Sequence, residues 1–383
     1  MRPNYIAFLI PGLVAQLAHA ALYSCSIMFP LTTGTTNPNF STGVYQVIAG
    51  QAVGLRGNDA TGTQKGAIWT PSGVTLLGAD VYATDGAVQV GDQQQATMKA
   101  FDAMVWTGTA ASGVDLTPTD LSGFTNTTAH GLGGTEIVGY GGGSATDGPF
   151  AYDALLWSNG TPQSAINLNP TQLGFTASQA IATDGNYQVG IAAAQFGDLT
   201  SIDSQAILWH GSAQSAINLT PANCYGATAL DVANGQEVGQ CYTIHLNQDA
   251  VLWDGSASTA VDLSPTDLTG FVITEALATN GMQQVGDGYT SSDLLQALAW
   301  SGTANSAVDL QNFLPASGTW TNSSADTIDS MGNIYGYVDG TFNGTTGQFA
   351  VEWTPLPEPS SAALLLASAI LALRHRKNPK HRR

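Results

Sequence analysis

Basic residues are nearly absent from the body of this sequence. Of ten lysines and arginines in 383 residues, only Arg56, Lys65 and Lys99 lie between the two ends, against 27 carboxylates from Asp59 to Glu352, a formal charge of −24 over that stretch. A field of that sign repels phosphate backbones, so nucleic acid is excluded as a partner. Cysteine is scarce too: three thiols exclude a disulfide-dense scaffold and leave no pairs at zinc spacing. Only His130, His210 and His245 represent histidine in the body. No useful helical period occurs between Leu31 and Trp353, which removes helix bundles and α/β folds. The sequence also lacks a Gly-x-Ser-x-Gly elbow, a His-Glu-x-x-His pair and a phosphate loop, so no catalytic residue is assigned.

What the sequence does contain is repetition. Seven tryptophans, Trp69, Trp106, Trp157, Trp209, Trp253, Trp300 and Trp353, follow one another at gaps of 37 to 53 residues. Alanine stands three residues before the last six, while the first copy, Ala67 to Trp69, reads as one residue shorter. Upstream of each lies a glycine, Gly54, Gly91, Gly139, Gly190, Gly239, Gly286 and Gly336, six of them after valine. A Leu-x-Pro block follows the tryptophan at Leu116, Leu168, Leu219 and Leu263, with degenerate forms near Leu31, Leu76 and Leu310.

A period of roughly 45 to 50 residues belongs to propeller blades. Each copy reads as four short strands; in the fourth they are residues 165–168, 179–183, 187–191 and 205–209, with the Leu-x-Pro strand first. Asp85-Gly86, Gly133-Gly134, Asp184-Gly185, Asn234-Gly235 and Asn280-Gly281 suit two-residue hairpins. The expectation is an all-β, seven-bladed propeller over residues 21–356, with a β-solenoid as the alternative. Residues 27–31 supply the strand missing after Trp353 and close the ring. Meander parity puts the tight turns on one face and the long variable segments on the other.

The pairing of Gln205-Ala206-Ile207-Leu208-Trp209 with Gly185-Asn186-Tyr187-Gln188-Val189-Gly190 resembles the HAF-type extracellular repeat of bacterial surface proteins, over about 320 residues. The match departs where Asp153, Gln205, Asp249 or Gln296 replaces the histidine of that repeat.

The ends carry addresses. Arg2, an apolar stretch over residues 6–17 and Ala18-His19-Ala20 describe a secretory signal peptide, residues 1–20, cut by signal peptidase after Ala20. A lipoprotein reading with Cys25 stands as the alternative, with bulky Tyr23 against it. At the other end, residues 357–383 hold Pro357-Glu358-Pro359, an apolar run over residues 362–373 read as a short helix, and a basic cluster that includes Arg374, Arg376 and Lys377. These three parts in order resemble the PEP-CTERM sorting signal of Gram-negative bacteria. Twelve helical residues cover only roughly 18 Å, short of a ~30 Å hydrocarbon core. The resemblance implies transient inner-membrane anchoring, cleavage by an exosortase, and release to the surface of a cell that makes exopolysaccharide.

In that oxidising setting Cys224 and Cys241 are expected to pair. Calcium would relieve the acidic self-repulsion, yet no Asp-x-Asp-x-Asp-Gly loop is present, so the Asp-Gly pairs read as turns and no cofactor is assigned. His130 reads as a core substitution for Ile181 of the next copy. Carboxylate pairs such as Asp115 with Asp120 and Asp262 with Asp267 recur in equivalent copies, which marks them as strand-end features. Two functions follow: a non-catalytic surface or matrix protein that binds exopolysaccharide or another protein through Phe196, Asp198, Asp203, Tyr242, Asp287 and Tyr289, or a polysaccharide hydrolase or lyase on the same scaffold.

Overall fold

The computed structural model describes residues 23–31, 43–58, 63–96, 100–146, 151–195, 199, 203–243 and 247–356, without the side chains of 57, 58, 63 and 64. Two units are distinguished. One, Cys25–Trp353, holds the blades; of the other, Met1–Ser24 with Thr354–Arg383, only residues 23, 24 and 354–356 are described. The signal peptide with Ala18 and Ala20 lies outside the described residues, as does the whole sorting segment with Pro357, Glu358, Pro359, Arg374, Arg376 and Lys377.

Seven four-stranded antiparallel sheets form the ring, and the described residues contain strands and 3-10 turns but no α-helix. The solenoid alternative is thereby discarded. The innermost strands, which touch one another around the axis, are Gly43–Ile48, Asp80–Thr84, Phe124–Gly133, Ala177–Thr183, Cys224–Ala233, Phe271–Thr279 and Thr319–Ile328. They define blades one to seven.

Blade boundaries fall one strand later than the repeat suggested. The Leu-x-Pro strand is the outermost strand of the blade whose tryptophan precedes it: Ala165–Asn167 pairs with Asp153–Trp157, not with Ala177–Thr183. The cause is the short, hydrogen-bonded 3-10 link Pro162–Ser164 after Trp157, which forces a local hairpin. Blade seven takes its outermost strand from Tyr23–Pro30, so the N-terminal strand closes the ring as expected.

Two repeat assignments are corrected as well. Gly66, not a deletion, stands three residues before Trp69, and Leu77, not Leu76, is the buried counterpart of Leu116, because Leu77 N–H donates to Gly66 O as Leu116 N–H does to Ala103 O. Two-residue turns close blades three and five, whereas residues 85–88, 184–187 and 280–283 form four-residue loops in blades two, four and six. In those loops Asp85, Asp184 and Asn280 each cap two backbone N–H groups.

The core sits between blades. The larger apolar clusters each join two neighbours, as where Trp157 of blade three packs with Leu116 and Ala103 of blade two, and Trp209 of blade four with Leu156 and Leu168 of blade three. None of the seven tryptophans is more than 2% exposed. Each indole removes roughly 200 Å² from water, on the order of 5 kcal/mol of gross transfer free energy. The alanine three residues earlier sends its N–H across the opposite interface, to the next blade: Ala103 donates to Thr127 Oγ1 at 2.9 Å and Ala297 to Ser323 Oγ at 2.9 Å.

The Val-Gly element has an equally local reason. A Cβ on any of Gly54, Gly91, Gly139, Gly190, Gly239, Gly286 or Gly336 would lie between 1.9 and 2.1 Å from a carbonyl oxygen of the innermost strand. That approach accompanies a β-bulge in every blade, one extra residue inserted in the innermost strand next to the glycine's partner.

Candidate binding site in the central channel

The seven bulged residues are Tyr45, Tyr82, His130, Ile181, Leu230, Leu277 and Asp326, and all line a cavity of about 520 Å³ on the axis. Other parts of its wall, such as Ala49, Asp85 and Asp329, belong to the tight turns, so the cavity spans the channel from the bulge ring to the tight-turn face. The ring is sharply divided. Asp326, Tyr45, Tyr82 and His130 follow one another on blades seven, one, two and three; Ile181, Leu230 and Leu277 form an aliphatic arc on blades four to six.

Along the aromatic arc, the Tyr45 and Tyr82 ring centroids are 5.4 Å apart, and Tyr82 stacks on His130 at 5.5 Å with 8° between planes. His130 Nδ1 stands 3.2 Å from Ile181 O. A carbonyl only accepts, so Nδ1 carries the proton, and burial lowers the imidazole pKa, keeping it neutral. His130 is therefore a channel group, not a core substitution.

Four carboxylates line the cavity, and three are engaged. Asp85 caps its own turn, and Asp329 accepts from Met331 N, Asn333 N, Asn333 Nδ2 and Tyr335 OH. Asp231 accepts Thr279 N–H of the next blade at 2.9 Å, the bridging role that Gln46 plays toward Thr84 N at 2.7 Å; burial pushes the Asp231 carboxyl up to about 7.

Asp326 differs. Its Oδ1 accepts from Ser324 Oγ at 2.9 Å, and its Oδ2 has no partner. The same Ser324 hydroxyl stands 2.8 Å from Asp287 Oδ2 on blade six, and one hydroxyl proton serves only one of the two at a time. Burial pushes Asp326 up to about 7; burial first, then the charges of Glu275 and Asp326, pushes Asp287 up to about 8. An equivalent arrangement at blade two has Asp92 accepting from Thr128 Oγ1 at 2.9 Å and from Tyr82 OH at 3.3 Å, with burial holding its pKa at about 6.

The residues proposed for the long-loop face fare unevenly. Tyr289 is 43% exposed on blade six, Tyr242 is half-buried on blade five, and Asp203 is exposed on blade four. Asp287 is no loop residue: it lies in Gln284–Thr290, 4% exposed, because it follows Gly286 on the strand. Phe196, Asp198 and His245 lie outside the described residues. Cys224 and Cys241 form a disulfide with Cα atoms 6.0 Å apart, between the first two strands of blade five. Cys25 lies in the ring-closing strand as a free thiol that burial, with Glu352 nearby, pushes up to about 12, which leaves it unreactive. Asp115 and Asp262 cap the following loop through Thr117 N and Ser264 N, a strand-end role. Among the described residues no group of three or more His, Cys, Asp or Glu side chains is placed to hold a metal.

No family model matches the chain, and no curated protein matches it in sequence. Solved structures match it in fold. A prolyl endopeptidase from a study of two such enzymes superposes with a TM-score of 0.53 at 12% identity, over 91% of this chain and 53% of its own length. Prolyl oligopeptidase B from Galerina marginata gives 0.51 at 10% identity, over 91% and 52%. An oligogalacturonate lyase in complex with manganese gives 0.49 at 11%, over 88% and 97%. The chain thus spans about half the length of the prolyl peptidases it matches, and the likeness is one of fold.

Proposed function

We propose that this chain is an exported surface or extracellular-matrix protein of a Gram-negative bacterium, sorted by an exosortase, and that it acts as a non-catalytic binding module for saccharides of the exopolysaccharide. The observation that carries the binding role is the channel: a cavity of about 520 Å³, within the size range of small-molecule sites, with a stacking arc of Tyr45, Tyr82 and His130 facing an aliphatic arc. Aromatic faces suit the C–H faces of pyranose rings, and Asp326 adds a carboxyl to the cavity wall. Hydrolysis by the two-carboxyl route needs a second free acid facing the same bond. In this cavity Asp85, Asp231 and Asp329 are committed to turns and inter-blade bonds, which favours binding over catalysis.

Export is supported by the two terminal signals, the acidic cation-poor body and the Cys224–Cys241 bond. Deleting residues 357–383 is expected to strand the protein short of the cell surface in fractionation; an unchanged distribution overturns the sorting proposal. For the ligand, the mature protein on a polysaccharide array is expected to give a signal that Tyr82→Ala removes. A signal lost in Tyr289→Ala but kept in Tyr82→Ala moves the site to the long-loop face, and a blank array overturns the saccharide reading.

A further inference from the structure

We propose that the channel recognises a protonated amine, so that the saccharide it takes is an amino sugar with a free amino group; this rests on the saccharide reading above. The starting point is Asp326, which lines the channel and whose Oδ2, enclosed just behind that surface, is left without any hydrogen-bond partner. No lysine or arginine lines the cavity, and His130, its imidazole, is held neutral with Nδ1–H committed to Ile181 O. A carboxylate in such a place is costly, so burial drives it toward taking up a proton near pH 7, and an opposite charge brought alongside would hold it ionised instead. The protein does not supply it. A ligand ammonium does.

Three further features match that ligand. Tyr45 stands at the next position round the ring, 45% exposed, with Tyr82 beyond it, and their faces attract a cation through the ring quadrupole. The carboxylates of Asp80 and Asp92, whose charges act on Tyr45 and Tyr82, add negative potential to this side of the channel. The opposing arc of Ile181, Leu230 and Leu277 has no hydrogen-bonding side chain and suits the C–H face of a ring. A uronic acid brings charge of the wrong sign. A neutral hexose satisfies the acceptor through a hydroxyl but leaves the charge uncompensated.

The test is calorimetric titration of the mature protein at pH 7 with the β-1,4-linked disaccharide of glucosamine and with its N-acetylated counterpart, which differs only at the amines. The amine form is expected to bind at least about tenfold more tightly, a difference near 1.4 kcal/mol. Asp326→Asn keeps an acceptor for Ser324 while removing the charge, and is expected to bring the ratio close to one; Tyr45→Ala, at a half-exposed site, should weaken the amine form without unfolding the blade. A ratio near one in the wild type, or a ratio that survives in Asp326→Asn, overturns the inference. Equal binding of both disaccharides sinks the amine while leaving the saccharide reading in place. If neither binds and another glycan does on the array, the amine again falls alone; if nothing binds anywhere, both fall.

Discussion

Glu237→Gln is expected to stabilise this protein at neutral pH and to do nothing at pH 4. Glu237 is fully buried at the start of the second strand of blade five, where blades two, four and six carry Gln89, Gln188 and Gln284. All four side chains accept the N–H of the glycine that turns the chain after tryptophan: Gly108 at 2.7 Å, Gly211 at 2.8 Å, Gly302 at 2.8 Å and, for Glu237, Gly255 at 2.9 Å. The glutamines use their amide N–H groups as well, on Gln51, Glu136 and Gln236 of the preceding blade. Glu237 has no such donor, and its Oε1 is left without a partner.

Burial, then the charge of Asp254, pushes the Glu237 carboxyl from 4.5 up to about 7. A raised folded-state pKa means the native state binds the proton more tightly than the unfolded chain. That contribution is complete below pH 4.5 and is lost as pH rises through about 7. A shift of that size corresponds to about 3 kcal/mol at 1.36 kcal/mol per unit, and screening at the turn reduces it to roughly 1–2 kcal/mol. Glutamine mimics the protonated acid at every pH. Urea unfolding of wild type and variant at pH 4, 5.5, 7 and 8 should therefore show a stability difference that grows from near zero to roughly 1–2 kcal/mol. A pH-independent difference, or a variant weaker at pH 8, refutes the reasoning.

Gly190→Ala places a Cβ 2.0 Å from Gln179 O, on backbone that cannot yield, and should destabilise the protein by on the order of 3 kcal/mol, whereas Gly78→Ala, with nothing within 4 Å, should stay within about 1 kcal/mol; equal effects would remove the steric account of the Val-Gly element. Replacing both Cys224 and Cys241 by serine opens a link across 17 residues and should cost about 3 kcal/mol in chemical denaturation, with unchanged stability counting against the bridge.

The channel was written in the sequence in a form that blade-level reading passes over. The bulged residue lies nine positions before the Val-Gly glycine in six repeats, from Tyr45 before Gly54 to Leu277 before Gly286, and ten before Gly336 in the seventh. That column reads Tyr, Tyr, His, Ile, Leu, Leu, Asp, and its variety inside an otherwise uniform strand is the mark of positions the fold does not use for packing. His130 aligns with Ile181, and sequence alone marks it as core because a bulge, which re-aims a side chain, leaves no trace in alternation. Asp287 failed in the opposite direction: its neighbours in sequence are loop-like, but its partner across the blade interface, Ser324, comes from 37 residues away.

Strand content, seven-fold repetition, the positions of the turns and the closing N-terminal strand follow from sequence alone, because each depends on residues within one phrase of about 50 or on a phrase left incomplete. Which strand belongs to which sheet, which face the cavity opens on, and which carboxylate oxygens are left without a partner were decided only when seven blades met around an axis. The first set is governed by local sterics and periodic burial, the second by contacts between segments far apart in the chain, and the isolation of Asp326 is of the second kind: nothing in its own strand shows that no cation will be waiting across the channel.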